Sequence, residues 1–140
     1  MAGPRLNLVD PDLVSVVQDA LAGFEGGGRI FSGYRTAAEQ RELYATGRSP
    51  VLHSQHMLGL AVDVVLYDPT ERKKVADWSF ERYRDFNRCV QMFAAAKGIT
   101  VTWGGDWRSR DGVHFQIEGR EPFAVDGVPY RSTAGTKTEP

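Results

Sequence analysis

This chain has little cysteine, little excess charge and no long apolar run, and each shortage removes a class of protein. One cysteine, Cys89, cannot form an internal disulfide, so nothing in the fold depends on an oxidising compartment. Cys89 falls within a helical pattern and reads as packing. The formal net charge is -1, from 17 Lys and Arg against 18 Asp and Glu. Bulk electrostatics therefore point neither to nucleic acid nor to an anionic membrane. No apolar stretch is long enough to cross a bilayer. The opening segment MAGPRLNLVDPDL lacks the apolar centre of a signal peptide. The expectation is a protein made in a cytoplasm and kept there unless something else releases it. What remains is ordinary: 140 residues, 41% hydrophobic and 25% charged, enough for one domain with a core of its own.

Local signals divide the chain into a small α+β domain. Asp10-Pro11 is a helix start, and Leu13, Val16, Val17, Ala20, Leu21 and Phe24 form one apolar stripe after it. Gly26 to Gly28 ends that helix, and Arg29 to Phe31 can form a short strand. Thr36 to Glu39 is a capping box opening a second helix, expected to bury Leu43 and Tyr44 and to stop at Gly47. Residues 48–56 read as a loop. Leu60 to Leu66 reads as a strand, with Leu60, Val62, Val64 and Leu66 on one face and Ala61, Asp63 and Val65 on the other. Tyr83, Phe86, Val90, Phe93 and Ala94 predict a helix over 80–97, stopped by Gly98. Ile99 to Trp103 and Val113 to Ile117 are further strands, separated by a turn at Gly104 to Asp106. The expected architecture is a mostly antiparallel sheet with helices packed on one face. It forms a single domain over 1–130, with a frayed tail over 131–140.

One stretch does not behave like plain structure. HSQHMLGLAVDVV, from His53 to Val65, holds two of the three histidines and places a carboxylate inside an apolar strand. Asp63 lies on the face opposite the core stripe, His56 lies just before its strand, and His114 lies on the non-core face of another strand. Two imidazoles and one carboxylate suit zinc, which accepts mixed nitrogen and oxygen ligands and keeps a fourth position open in catalytic sites. Asp111, three residues before His114, can serve as general acid and base. Arg35 can anchor a substrate carboxylate or stabilise a tetrahedral oxyanion. Plainer readings stand beside these. His56 can be a surface histidine, Asp63 the partner of Arg35 in a salt bridge, and His114 a satisfied core histidine. Asp111-Gly112 is a common turn pair. Trp103 and Trp107 can line a substrate groove or fill a core, and His53 competes with His56 as a ligand.

The order SGYRT, Q-x-x-L-Y-x-x-G-R, S-x-H-x-x-G-x-A-x-D, WGGDW and D-x-x-H-F-Q resembles a known family. It is that of the zinc peptidoglycan peptidases, comprising D-Ala-D-Ala carboxypeptidases and L-alanyl-D-glutamate endopeptidases, which share a core with the hedgehog amino-terminal domain. The matching residues run from Ser32 to Gln116. The resemblance implies a hedgehog/DD-peptidase-like α+β fold and zinc held by His56, Asp63 and His114. It implies Asp111 as the catalytic acid/base and Arg35 as a contact to substrate or oxyanion. Ser54, Trp103 and Trp107 are then candidate substrate contacts.

Within the family, WGGDW followed by an aspartate before the last histidine is closer to the endopeptidases, phage endolysins included. The carboxypeptidases usually carry glutamate where Asp111 stands. Gln55 and Val113 depart from the aromatic residue and the proline that many relatives have at those places. The implied activity is hydrolysis of the L-Ala–D-Glu bond of peptidoglycan stem peptides. A carboxypeptidase or dipeptidase on the same scaffold, or a zinc-stabilised module that binds the wall without cutting it, are the alternatives. The implied partner is peptidoglycan, with no nucleic acid, no stable membrane association and a monomeric state. The implied setting is a bacterial host cytoplasm, with action on the wall after release.

Overall fold

The computed structural model describes residues 3–130, so the expected tail over 131–140 lies outside the described residues. A short 3-10 turn, Leu6–Leu8, leads into α1 (Pro11–Gly23). Asp10 caps this helix through its side chain, which accepts a hydrogen bond from the Asp12 amide, and Pro11 takes the first helical position. Leu13, Val16, Val17, Ala20 and Leu21 are buried, so the stripe read from spacing is the packed face. β1 (Gly28–Ser32) follows, then α2 (Ala37–Ala45), opened by the reciprocal Thr36–Glu39 capping box.

The long strand β2 (Ala61–Tyr67) is the centre of the sheet. It pairs antiparallel with β1 on one side and with β5 (His114–Ile117) on the other. β5 in turn pairs with β4 (Val101–Trp103). A two-residue strand, β3 (Ala76–Asp77), pairs with Leu66 and Tyr67 at the end of β2. The sequence shows no periodicity for so short a segment; the Tyr83 hydroxyl holds it by donating to the Asp77 carbonyl while accepting from the Leu66 amide. A separate small hairpin joins β6 (Ala124–Val125) to β7 (Val128–Pro129).

α1 and α3 (Phe80–Lys97) pack against each other and cover one face of the sheet. The core between them and β2 contains Leu13, Val17, Tyr83, Phe86, Val90, Val62, Val64, Leu66 and Phe115. Phe86 meets Phe24 and Phe115 edge-on, at centroid distances of 5.3 and 5.6 Å. Burying a side chain of that size contributes roughly 1.5–3 kcal/mol. Gly98 ends α3 in the left-handed conformation.

Three expectations need correction. α2 buries Gln40 and leaves Tyr44 50% exposed and Leu43 only partly covered, because the helix lies outside the main core. A 3-10 turn, Gln55–Leu58, begins at the end of the stretch 48–56 that reads as loop, and it carries His56 into the interior. Both faces of β2 are buried, the second by the segments that carry the polar cluster described next.

Candidate metal centre

Asp63 enters the interior at the middle of β2 and is only 6% exposed. Across the β2–β5 ladder its direct partner is His114, so strand register places these two side chains on one face. Across the β1–β2 ladder its partner is Ser32, at an irregularity between Ile30 and Ser32. Such bulges re-aim side chains near functional sites, and here the Ser32 hydroxyl accepts from Arg35 Nη2. The third arm is the 3-10 turn. Ser54 caps it by accepting from the His56 amide, and Gly59 closes it at φ 67°. A Cβ on Gly59 would lie 2.2 Å from the Leu8 carbonyl oxygen, so the turn can pack here only without a side chain.

His56, Asp63 and His114 therefore converge, with one ligand atom from each within 4.8 Å of the others. His56 Nε2 and His114 Nδ1 both lie 3.3 Å from Asp63 Oδ1. The outer hydrogen bonds decide where the ring hydrogens sit. His56 Nδ1 is 2.7 Å from the Gly33 carbonyl, which can only accept, so Nδ1 carries hydrogen and Nε2 is bare. The Gln116 amide nitrogen donates to Glu118, so its carbonyl oxygen faces His114 Nε2 at 2.8 Å. His114 Nε2 then carries hydrogen, and Nδ1 is bare.

Three lone-pair donors thus face one another in a buried space, an arrangement that repels itself unless a cation lies among them. The donor set and its outer hydrogen bonds fit zinc. With no ion present, a proton on His114 relieves the same repulsion. Burial favours the neutral ring, but its hydrogen bond to Asp63 and that carboxylate's charge prevail and raise its pKa. Burial likewise works to protonate Asp63. Once protonated, the His56 ring supplies positive charge, and both histidine rings supply N–H donors, that outweigh burial and hold the carboxyl well below the usual carboxylate range.

The second oxygen of Asp63 belongs to Arg35, whose Nη2 donates to Oδ2 at 2.8 Å. Arg35 also donates to Ser32 and, through Nη1, to Gln40 Oε1. The plain salt-bridge reading and the site reading of these residues are thus both visible in one geometry. Gln40 is fully buried and donates onward to Ser49 Oγ and the Val51 carbonyl. It fastens Arg35 to the loop after α2. The sequence pattern contains Gln40 and Gln116 but assigns neither a role. The i, i+2 spacing of His114 and Gln116 on one strand face was the available signal for the second.

Asp111 is partly buried beside this group. Its pKa is raised, first by burial and then by the charge of Asp63, against the opposite pull of His114, His56 and Arg35. The loop holding it is cinched at Gly104, whose carbonyl accepts from both the Trp107 and Asp111 amides. A Cβ on Gly104 would fall 2.5 Å from the Asp111 carbonyl oxygen and 3.1 Å from the Cβ atoms of Asp111 and His114.

Trp107 is 39% exposed, with its ring 5.0 Å from that of His114. Trp103 corrects the groove expectation. It is 3% exposed, stacked on Phe80, and its indole N–H donates to the Gly112 carbonyl. It supports the Asp111 loop from below and offers a substrate no surface. Ser54 has its hydroxyl engaged in the cap, and His53 is exposed and outside the cluster.

A buried His/Asp/His cluster with a carboxylate of raised pKa beside it is the equipment of a metal-dependent hydrolase. The family model described as D-alanyl-D-alanine carboxypeptidase matches residues 47–117, about half of the chain, and the chain belongs to this peptidase family. The matched span includes His56, Asp63, Asp111 and His114 and leaves out Arg35. An L-alanyl-D-glutamate peptidase of Listeria phage A118 is 32% identical over 89 residues. That match takes in 63% of this chain but 29% of the phage protein's length. The crystal structure of the Serratia marcescens L-Ala D-Glu endopeptidase ChiX is 38% identical, with a TM-score of 0.71 over 80% of this chain and 82% of that one. The vancomycin resistance D,D-pentapeptidase VanY, solved in complex with Zn(II), shares the fold at 20% identity. Its TM-score is 0.52, over 79% of this chain and 73% of that one.

Proposed function

We propose that the chain is a zinc peptidase that hydrolyses the L-Ala–D-Glu bond of peptidoglycan stem peptides, acting as a phage endolysin. The observation that carries this reading is the convergence of three bare ligand atoms from His56, Asp63 and His114 beside Asp111. The names of the Listeria phage and Serratia relatives supply the bond. His56, Asp63 and His114 hold the metal, which, when bound, supplies a Lewis acid that makes water nucleophilic near neutral pH.

The remaining work falls to the chain. Asp111 takes a proton from the attacking water and passes it to the leaving D-glutamyl amine, and its raised pKa suits both transfers. Arg35 holds Asp63 in place through Oδ2, leaving Oδ1 toward the centre. Three of its five N–H donors are engaged, so two remain for the developing oxyanion. Trp107 walls the entrance beside His114. Ser54 acts through His56 rather than on substrate. The enzyme works as a monomer over residues 1–130, reaching peptidoglycan after release from the host cytoplasm.

A D-Ala-D-Ala carboxypeptidase is the second reading, favoured by the description of the family model. It needs Arg35 as a clamp for a terminal carboxylate, and the engagement of both terminal nitrogens of Arg35 weighs against it.

Two variants test the proposal. Asp111→Asn is expected to keep a full zinc complement and lose most turnover, by about 100-fold or more. His56→Ala is expected to lose both. Near-normal activity in the first would remove Asp111 as the base, and full zinc in the second would remove His56 as a ligand.

A further inference from the structure

An L-Ala–D-Glu peptidase faces a recognition problem that Arg35 does not solve. The amine side of the bond is a D-glutamate that continues through its γ-carboxyl. Its free α-carboxylate therefore hangs on the carbon bonded to the scissile nitrogen. Such a group calls for a guanidinium near the proton donor, Asp111. Arg35 spends three of its donors on Asp63, Ser32 and Gln40, and the remaining two serve the oxyanion.

Arg110 directly precedes Asp111, and its guanidinium lies 4.5 Å from the centroid of the Phe80 ring. Phe80 is itself fixed. It stacks on Trp103 at 5.2 Å, and its ring is the nearest neighbour a side chain at Gly112 would meet. Among the described residues no carboxylate lies within ion-pair distance of Arg110. A guanidinium held over an aromatic face by cation–π attraction keeps N–H donors free for an anionic ligand. The cinch at Gly104 fixes the loop that carries Asp111.

We infer that Arg110, held over the Phe80 ring, is a specificity residue that receives the α-carboxylate of the D-glutamate leaving group. This rests on the endopeptidase reading above and names the part of the substrate that the site selects. It implies that walls whose D-glutamate is α-amidated are poorer substrates.

The test uses the full zinc-loaded chain and two synthetic stem peptides, L-Ala–γ-D-Glu–L-Lys, with the α-position as free carboxylate or as carboxamide. The unmodified enzyme is expected to prefer the carboxylate by about tenfold in kcat/KM, carried mainly by KM, the scale of one charge-assisted hydrogen bond at an accessible site. Arg110→Gln is expected to bring that ratio to about one. Arg110→Lys is expected to restore part of it, because charge returns without the fork. Arg108→Gln is expected to leave the ratio in place.

Equal cleavage of both peptides by the unmodified enzyme would overturn the inference, and so would a preference that survives Arg110→Gln or vanishes with Arg108→Gln. Cleavage of neither peptide at the L-Ala–D-Glu bond would instead sink the endopeptidase reading. Zinc content and melting temperature, measured on every variant, separate a lost contact from a lost fold.

Discussion

Replacing Gln116 with leucine removes the acceptor that keeps hydrogen on His114 Nε2. In the native arrangement Glu118 can only accept, which orients the Gln116 amide, which in turn sets the imidazole tautomer. Leucine leaves a buried ring N–H without a partner and frees the hydrogen to occupy Nδ1, the atom that faces Asp63. Outer partners of metal-bound histidines typically change metal affinity 10–100-fold, about 1.4–2.7 kcal/mol. Gln116 is partly solvent-covered, so water replaces some of what is lost, and the lower end, about tenfold, is expected. Gln116→Glu keeps an acceptor at the same distance and is expected to retain zinc at least as tightly. The assay is equilibrium competition with a chromogenic chelator at pH 7.5, which reads affinity without requiring turnover. Unchanged affinity in Gln116→Leu, with the fold intact, would refute the argument that Gln116 sets the tautomer.

The same geometry yields further expectations. Gly104→Ala should unfold or eject the Asp111 loop, since the added carbon meets the Asp111 carbonyl oxygen at 2.5 Å, and a loss of several degrees in Tm would register it. Trp103→Phe removes the bond to the Gly112 carbonyl and should cost about 1 kcal/mol in denaturant unfolding while leaving zinc bound. In the zinc-free protein, Asp63 is depressed and contributes stability above its unfolded pKa, lost as pH falls through the folded value. His114 is raised and contributes fully below its unfolded pKa, lost as pH rises through the folded value. The cluster therefore stabilises the zinc-free domain most between about pH 4 and 6.5. Zinc binding runs the other way, since its ligands must be deprotonated. The Tm gain from zinc should shrink steadily between pH 7.5 and 5.5, and a gain that grows toward acid would contradict the ligand set.

Much of this was legible residue by residue. Asp10-Pro11, the Thr36–Glu39 box and Gly98 are local signals, and local capping chemistry settled the starts of α1 and α2 and the end of α3. Strand alternation placed Asp63 and His114 off the core stripe, and pairing in the sheet then made them direct partners. What the sequence did not reveal depends on partners distant along the chain. Gln40 looks like a surface helix residue until its bonds to Arg35, Ser49 and Val51 are seen. Trp103 alternates on a three-residue strand, too short for periodicity to say whether it faces core or groove. Tyr44 fits a helical stripe, yet the stripe has no core opposite it. His56 sits in a 3-10 turn whose form comes from the Ser54 cap and the close approach of Gly59 to Leu8.

The proposed function makes His56, Asp63, His114 and Asp111 a zinc-dependent cutter of one bond, L-Ala–D-Glu. Mass spectrometry of purified peptidoglycan after digestion, with and without a zinc chelator, tests it most directly. New amino-terminal D-glutamate that disappears on chelation is the expected result. Free D-alanine would move the chain to the carboxypeptidase branch, and no product from zinc-loaded protein would rule out a wall-cutting peptidase.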